Sequence, residues 1–127
     1  MKDASCIFCK IAAGEMQAYK IYEDKEYVAF LDIFPVAKGQ TLVIPKNHSS
    51  SIFSESSDKE LAGLVLAAKK VANTLRAKLP AERVSLVFEG LDVNHLHAKL
   101  YPDCGIMRMG SKADDTELEK LHRQITR

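Results

Sequence analysis

The chain lacks tryptophan, and aromatic residues make up only 7% of it. The few rings form no stacking platform and the basic residues no stripe, while the formal net charge is +1. Proteins that bind nucleic acid use such platforms and stripes, so a nucleic-acid partner, including one read through a zinc module, finds no support. No apolar run approaches the roughly 18 residues that a membrane span needs, so no membrane partner is expected. The start, Met1-Lys2-Asp3-Ala4-Ser5, does not read as a signal peptide, and a cytoplasmic location is expected. No internal repeat, low-complexity tract or linker marks a second domain. Cysteine is scarce as well. Three are present, an odd number, and two of them stand close together, which argues against a disulfide framework.

What remains is an ordinary globular composition, with 46% hydrophobic and 28% charged residues over 127 positions. That length fits one domain, residues 1–127, with a core over about 5–105 and a C-terminal segment over 106–127. Any anionic ligand must be met by local charge, since the global balance offers none.

Residues Ser5 to Ala13 read as a short helix, with Ser5 as N-cap and Gly14 as the residue after the C-cap. Tyr19 to Tyr22 and Tyr27 to Leu31 read as strands around the polar turn 23–26. A loop punctuated by Pro35 and Gly39 follows. Gln40 to Pro45 is then a strand whose Leu42-Val43-Ile44 run predicts burial on both faces. Ser57-Asp58-Lys59-Glu60 is a capping box. Leu61, Leu64, Val65, Ala68, Val71, Ala72, Leu75 and Leu79 recur behind it at helical spacing, and Pro80 ends that helix. Val84 to Phe88 and His95 to Tyr101 form a hairpin pair around a turn at Gly90. Asp115 to Thr126 is a final helix with Leu118, Leu121 and Ile125 on one side and His122 in solvent. The order α-β-β-β-α-β-β-α predicts an α+β fold, an antiparallel sheet with one long crossover helix.

The segment from His95 to Tyr101 alternates polar and apolar residues. His95, His97, Lys99 and Tyr101 therefore share one strand face, and Leu96, Ala98 and Leu100 the other. Two imidazoles beside an ammonium suit a polyanion, with an imidazole as nucleophile or base near pH 7. The plain alternative is a solvated face that carries two histidines.

Cys6-Ile7-Phe8-Cys9 has the spacing that lets two thiolates reach one tetrahedral ion. It could also be a redox pair or two buried apolar cysteines. A metal would need two further ligands, and His48 and His95 could supply them, although nothing local links four such distant residues.

Taken together, Cys6-Ile7-Phe8-Cys9-Lys10-Ile11, Tyr22-Glu23-Asp24, Phe30 to Pro35, Gly39 to His48 and the strand His95-x-His97-x-Lys99-Leu-Tyr-Pro resemble the histidine triad (HIT) family, in the family's order. The resemblance implies a five-stranded antiparallel sheet, usually paired as a homodimer through a sheet edge and the long helix. It implies hydrolysis or transfer of a small nucleotide, with a purine expected, at the α-phosphorus of a dinucleoside polyphosphate or nucleoside phosphoramidate. By the same resemblance Cys6, Cys9, His48 and His95 hold one structural zinc. His97 is the nucleophile that forms a nucleotidyl-histidine, its other ring nitrogen held by a backbone carbonyl. Asp32 takes the ribose hydroxyls, and Phe8, Ile11, Phe30 and Ile33 surround the base.

Three departures from the family pattern stand out. Lys99 replaces the third histidine, holding phosphate as a fixed cation and depressing the pKa of His97. Gln40 stands where a histidine often follows the glycine, with little consequence expected. The turn 88–94 is short and lacks the usual donors to phosphate. Asp92 or Asn94 could contribute there, although an aspartate would repel phosphate, and Asn94 is the one assigned to the substrate. These departures support an alternative, a nucleotide-binding member with little or no catalysis. His97 opposes it.

Overall fold

The computed structural model describes residues 3–79, 81–103 and 109–127. The expected helix stop at Pro80 and the free thiol expected at Cys104 lie outside the described residues. Along the chain run α1 (Ile7–Ala12), β1 (Lys20–Glu23), β2 (Tyr27–Leu31), β3 (Thr41–Pro45), α2 (Asp58–Lys78), β4 (Val84–Val87), β5 (Ala98–Pro102) and α3 (Asp115–Thr126). The strands form one antiparallel sheet in the order β1-β2-β3-β5-β4. Helix α2 carries the chain from the middle of the sheet to edge strand β4, and β5 returns between them. The fold is α+β, as the element order predicts.

The continuous apolar runs of β2 and β3 follow from their position, because both faces of the sheet are covered there. On one face Ala29, Val43, Ala98 and Leu100 pack against Leu64, Ala67, Ala68, Val71 and Leu75 of α2. Helix and sheet approach closely at Gly63, where a Cβ would collide with the Tyr27 hydroxyl. Leu64 is fully buried there, and its truncation to alanine costs about 2–5 kcal/mol. On the other face Val28, Phe30, Leu42 and Ile44 pack against Phe8 and Ile11 of α1. With only six residues, α1 covers part of that second face and leaves the rest open.

Several local expectations are corrected by the contacts observed. The N-cap of α1 is Cys6, whose Sγ accepts from the Cys9 N–H, and not Ser5. Ser5 instead donates to Asp3 through both its backbone N–H and its hydroxyl. The capping box of α2 is half made. Ser57 caps the Glu60 N–H, while the Glu60 carboxylate accepts from the Ser49 hydroxyl at 2.8 Å. A 3-10 turn at Phe53–Glu55 was not expected. Helix α3 has the predicted bounds but buries nothing, and Leu118, Leu121 and Ile125 are all exposed.

Strand β5 begins at Ala98 and not at His95. The Leu96 N–H donates to Ser49 O and the His95 N–H to Val93 O, so these residues join a loop, not the β3 ladder. The alternation survives all the same. Leu96, Ala98 and Leu100 are buried against α2, and His97, Lys99 and Tyr101 turn toward the face that α1 leaves open.

Candidate active site

That open part of the sheet is a pocket of about 780 Å³ between α1, the loop after β2 and the turn after β4. Phe8, Ile11, Phe30 and Leu42 make its floor and are buried, whereas Ile33, Phe34 and Val36 form an exposed apolar rim. A deep apolar wall with a few polar groups at one end is the common form of a small-molecule site. The polar groups that line it include Asp32 and Gln40 on one side and His97, Lys99, Glu89 and Asp92. Leu42 pairs with Lys99 across β3 and β5, which puts the lysine on the pocket face.

His97 is nearly fully buried, and its Nδ1 lies 2.7 Å from His95 O. A carbonyl only accepts, so Nδ1 carries the proton and Nε2 keeps its lone pair. Burial lowers the pKa of His97, and the Lys99 charge pushes it the same way, against the His95 carbonyl and the carboxylates of Asp92 and Glu89. The expected depression by Lys99 is therefore present but secondary to burial. Lys99 itself is committed. Its Nζ sits 2.8 Å from Glu89 Oε1 and 3.8 Å from Asp92 Oδ2. Burial works against the ammonium, but the Glu89 bond and the nearby negative charges outweigh it and hold the pKa above the ordinary lysine value. A neutral ring with an available Nε2 beside a cation can act as nucleophile or base toward an anion held there.

Two residues earlier, His95 is turned the other way. Its Nε2 donates to Pro45 O at 2.8 Å, leaving the lone pair on Nδ1. That atom lies 3.3 Å from Cys6 Sγ and 3.6 Å from Cys9 Sγ, and His48 Nδ1 lies 3.4 Å from Cys9 Sγ. All four ligand atoms fall within 4.8 Å of one another. Metal–sulfur and metal–nitrogen bonds of about 2.3 and 2.0–2.1 Å put neighbouring sulfur and nitrogen vertices of a tetrahedron about 3.5 Å apart. The observed separations bracket that value, so these residues could hold a tetrahedral ion. Burial pushes the Cys9 thiol up, so a thiolate there needs a cation beside it. The Pro45 carbonyl orients His95 as an outer partner should, and Asp3 Oδ2 stands 3.9 Å from the far nitrogen of His48.

Phe8 joins the two corners. Its ring meets His95, His97 and Phe30 edge-on at centroid separations of 5.8, 5.3 and 5.6 Å. Helix α1 thus supplies a cysteine to the cluster and a wall to the pocket.

The family model for the HIT domain matches residues 13–102. The chain belongs to the HIT family. The adenosine 5'-monophosphoramidase of Saccharomyces cerevisiae is 36% identical over 134 residues, covering 97% of this chain and 82% of that protein. A crystal structure from Streptococcus mutans superposes with a TM-score of 0.82 at 33% identity, covering 98% of this chain and 85% of that one. A zinc-bound histidine triad protein of Mycobacterium smegmatis gives 0.72 at 26% identity, covering 94% and 97%.

Of the site residues expected from this HIT sequence, Phe8, Ile11, Phe30, Asp32, Ile33, His97 and Lys99 converge on the pocket. Cys6, Cys9, His48 and His95 converge on the neighbouring cluster. Asn94 does neither. Its Oδ1 accepts from the Ser51 N–H, and Ser51 Oγ donates to Gly90 O, so Asn94 ties down the turn outside the pocket. Gly90 has φ +67°, and a Cβ there would strike the Ser51 carbonyl. The sequence reading missed Glu89 as the partner of Lys99. The hairpin register was the available signal, since Val87 pairs with Lys99 and Glu89 follows on the same face. Gln40 was expected to have little consequence, and no local pattern marks its bond to Asp32.

Proposed function

We propose that this protein is a nucleotide hydrolase or nucleotidyl transferase that acts at an α-phosphorus through His97. One observation supports this above the rest. The His95 carbonyl fixes the His97 proton on Nδ1 and leaves Nε2 unprotonated beside the pocket. In this reading Nε2 attacks the α-phosphorus, the bond to the leaving group breaks, and a nucleotidyl-histidine forms. Water then attacks the same phosphorus, releasing a nucleoside monophosphate and restoring the ring. Two displacements replace one harder step. Lys99 holds a phosphate oxygen, Asp32 the ribose, and Phe8, Ile11, Phe30 and Ile33 the base. The relationship to an adenosine 5'-monophosphoramidase supports a nucleoside phosphoramidate as substrate, with a dinucleoside polyphosphate as the other candidate.

The zinc assignment belongs to this proposal. The Cys2His2 donor set, its sulfur–nitrogen spacing and the zinc-bound relative support one structural zinc on Cys6, Cys9, His48 and His95. When bound, such an ion ties α1 to the segment before β5. We further propose a homodimer built on the β4 edge and α2, where Leu86, Val65 and Leu66 are exposed. The compartment proposed is the cytosol, where the thiols stay reduced. Among the described residues no helix is long and apolar enough to cross a membrane.

A second reading, nucleotide binding with little turnover, is favoured by one observation. Lys99 is already paired with Glu89, and the turn after β4 offers carboxylates where phosphate needs donors. Loss of such donors costs several kcal/mol of transition-state stabilisation. Turnover of a fluorogenic adenosine phosphoramidate and of a dinucleoside polyphosphate separates the two. The hydrolase reading expects release of product by the wild type and none above background by His97→Ala. Equal rates in the two proteins leave binding alone.

A further inference from the structure

Gln40 is only 4% exposed, yet it lines the pocket and uses both ends of its amide. Nε2 donates to Asp32 Oδ2 at 2.7 Å, and Oε1 accepts from the Val36 N–H at 2.8 Å. A carboxylate accepts and an N–H donates, so the two partners settle which amide atom is which. The backbone repeats the link, since the Asp32 N–H donates to Gln40 O and the Gln40 N–H to Ala37 O, both at 3.0 Å. Four hydrogen bonds from one residue therefore close the loop that carries the pocket's apolar rim.

The other oxygen of Asp32, Oδ1, accepts from the Phe34 N–H at 2.9 Å. A carboxylate has about four acceptor positions, two on each oxygen. Here one on each oxygen is filled from within the loop, which leaves one on each for a ligand. Two acceptors side by side on one plane match a pair of adjacent hydroxyls that both donate. Carboxylate rotation is otherwise soft, since the terminal torsion of aspartate is broad. Gln40 and Phe34 hold it from opposite sides.

We propose that Gln40 is a positioning residue that orients the Asp32 carboxylate for the vicinal diol of a ribose, and so sets the preference for ribonucleotides over nucleotides without the diol. This rests on the reading of the pocket as a nucleotide site. It replaces the expectation that glutamine at this position has little consequence. An amide suits the role because it donates to Asp32 and accepts from Val36 at once.

The test is calorimetric binding of AMP and of 2',3'-dideoxy-AMP to the wild-type protein, to Gln40→Met and to Gln40→Glu. Methionine keeps the volume and removes both bonds. Glutamate keeps the acceptor for Val36 and turns a like charge toward Asp32, which provides a second test if the methionine variant folds poorly. The wild type is expected to prefer AMP by about tenfold, the low end of what two ordinary net hydrogen bonds are worth. Either variant is expected to bring that preference below about threefold, mainly by weakening AMP, with dideoxy-AMP changed less than twofold. A variant that keeps the wild-type preference overturns the inference. So does equal weakening of both ligands, which marks Gln40 as a loop strut only. Equal binding of both ligands by the wild type overturns it as well, with the nucleotide site intact. Failure of the wild type to bind either ligand instead removes the nucleotide reading and this inference with it.

Discussion

His95 and His97 are two residues apart, both buried, and fixed in opposite tautomers by two backbone carbonyls. Pro45 O accepts from the Nε2–H of His95 and turns Nδ1 toward two sulfurs. His95 O accepts from the Nδ1–H of His97 and leaves Nε2 for the pocket. The same side chain thus presents its lone pair to two sulfurs at one corner and to the pocket at the next. What differs is which nitrogen the backbone occupies. The lesson is that the chemistry of an imidazole is set by the acceptor behind it as much as by the space in front.

The comparison breaks most sharply by exchange of readouts. His97→Ala is expected to lower kcat/KM on a nucleoside phosphoramidate by on the order of a thousandfold or more while metal content stays unchanged. His95→Ala is expected to lose metal first and activity as a consequence. Metal analysis alongside steady-state kinetics checks both. If His97→Ala also strips the metal, the two corners are one site.

Removing the sulfurs comes next in size. Cys6→Ser with Cys9→Ser should abolish metal binding and lower the melting temperature by about 10 °C, since structural-metal binding contributes directly to folding. About one zinc per chain remaining in the double variant would refute these ligands. A smaller effect is expected at the phosphate end. Glu89→Gln removes the carboxylate 2.8 Å from Lys99. It should raise kcat/KM for a dinucleoside polyphosphate by about three- to tenfold, as one negative charge beside the anion is withdrawn. A fall in rate instead would mean that Glu89 serves to aim Lys99. The smallest effect is expected at α3. It buries nothing, so removal of residues 115–127 should move the melting temperature by less than about 3 °C in a thermal melt.

Much of this was legible in the chain. The two-sided burial of β3, the span of α2 and the bounds of β2 and α3 follow from periodicity and caps, which are local signals. The motif order brought Cys6, Cys9, His48 and His95 to one list before any geometry, and they do meet in space. Errors arose where a distant partner competed with a local one. The Glu60 side chain left its capping box for Ser49, whereas Ser5 lost the cap of α1 to its neighbour Cys6 through contacts that are themselves local. The residues from His95 to His97 left the ladder of β3 for a loop. Asn94 was assigned to ligand but holds Ser51, and Gln40 was passed over although it holds Asp32. Hydrogen bonds across 8 to 50 residues of sequence leave no periodic trace.

Rapid-quench intact-mass spectrometry during turnover of an adenosine phosphoramidate tests the role of His97 most directly. The account predicts an adenylyl adduct on wild-type protein within the first turnovers, localised to His97 by peptide mapping and missing from His97→Ala. Product release with no adduct at any quench time, or an adduct mapped to another side chain, contradicts it.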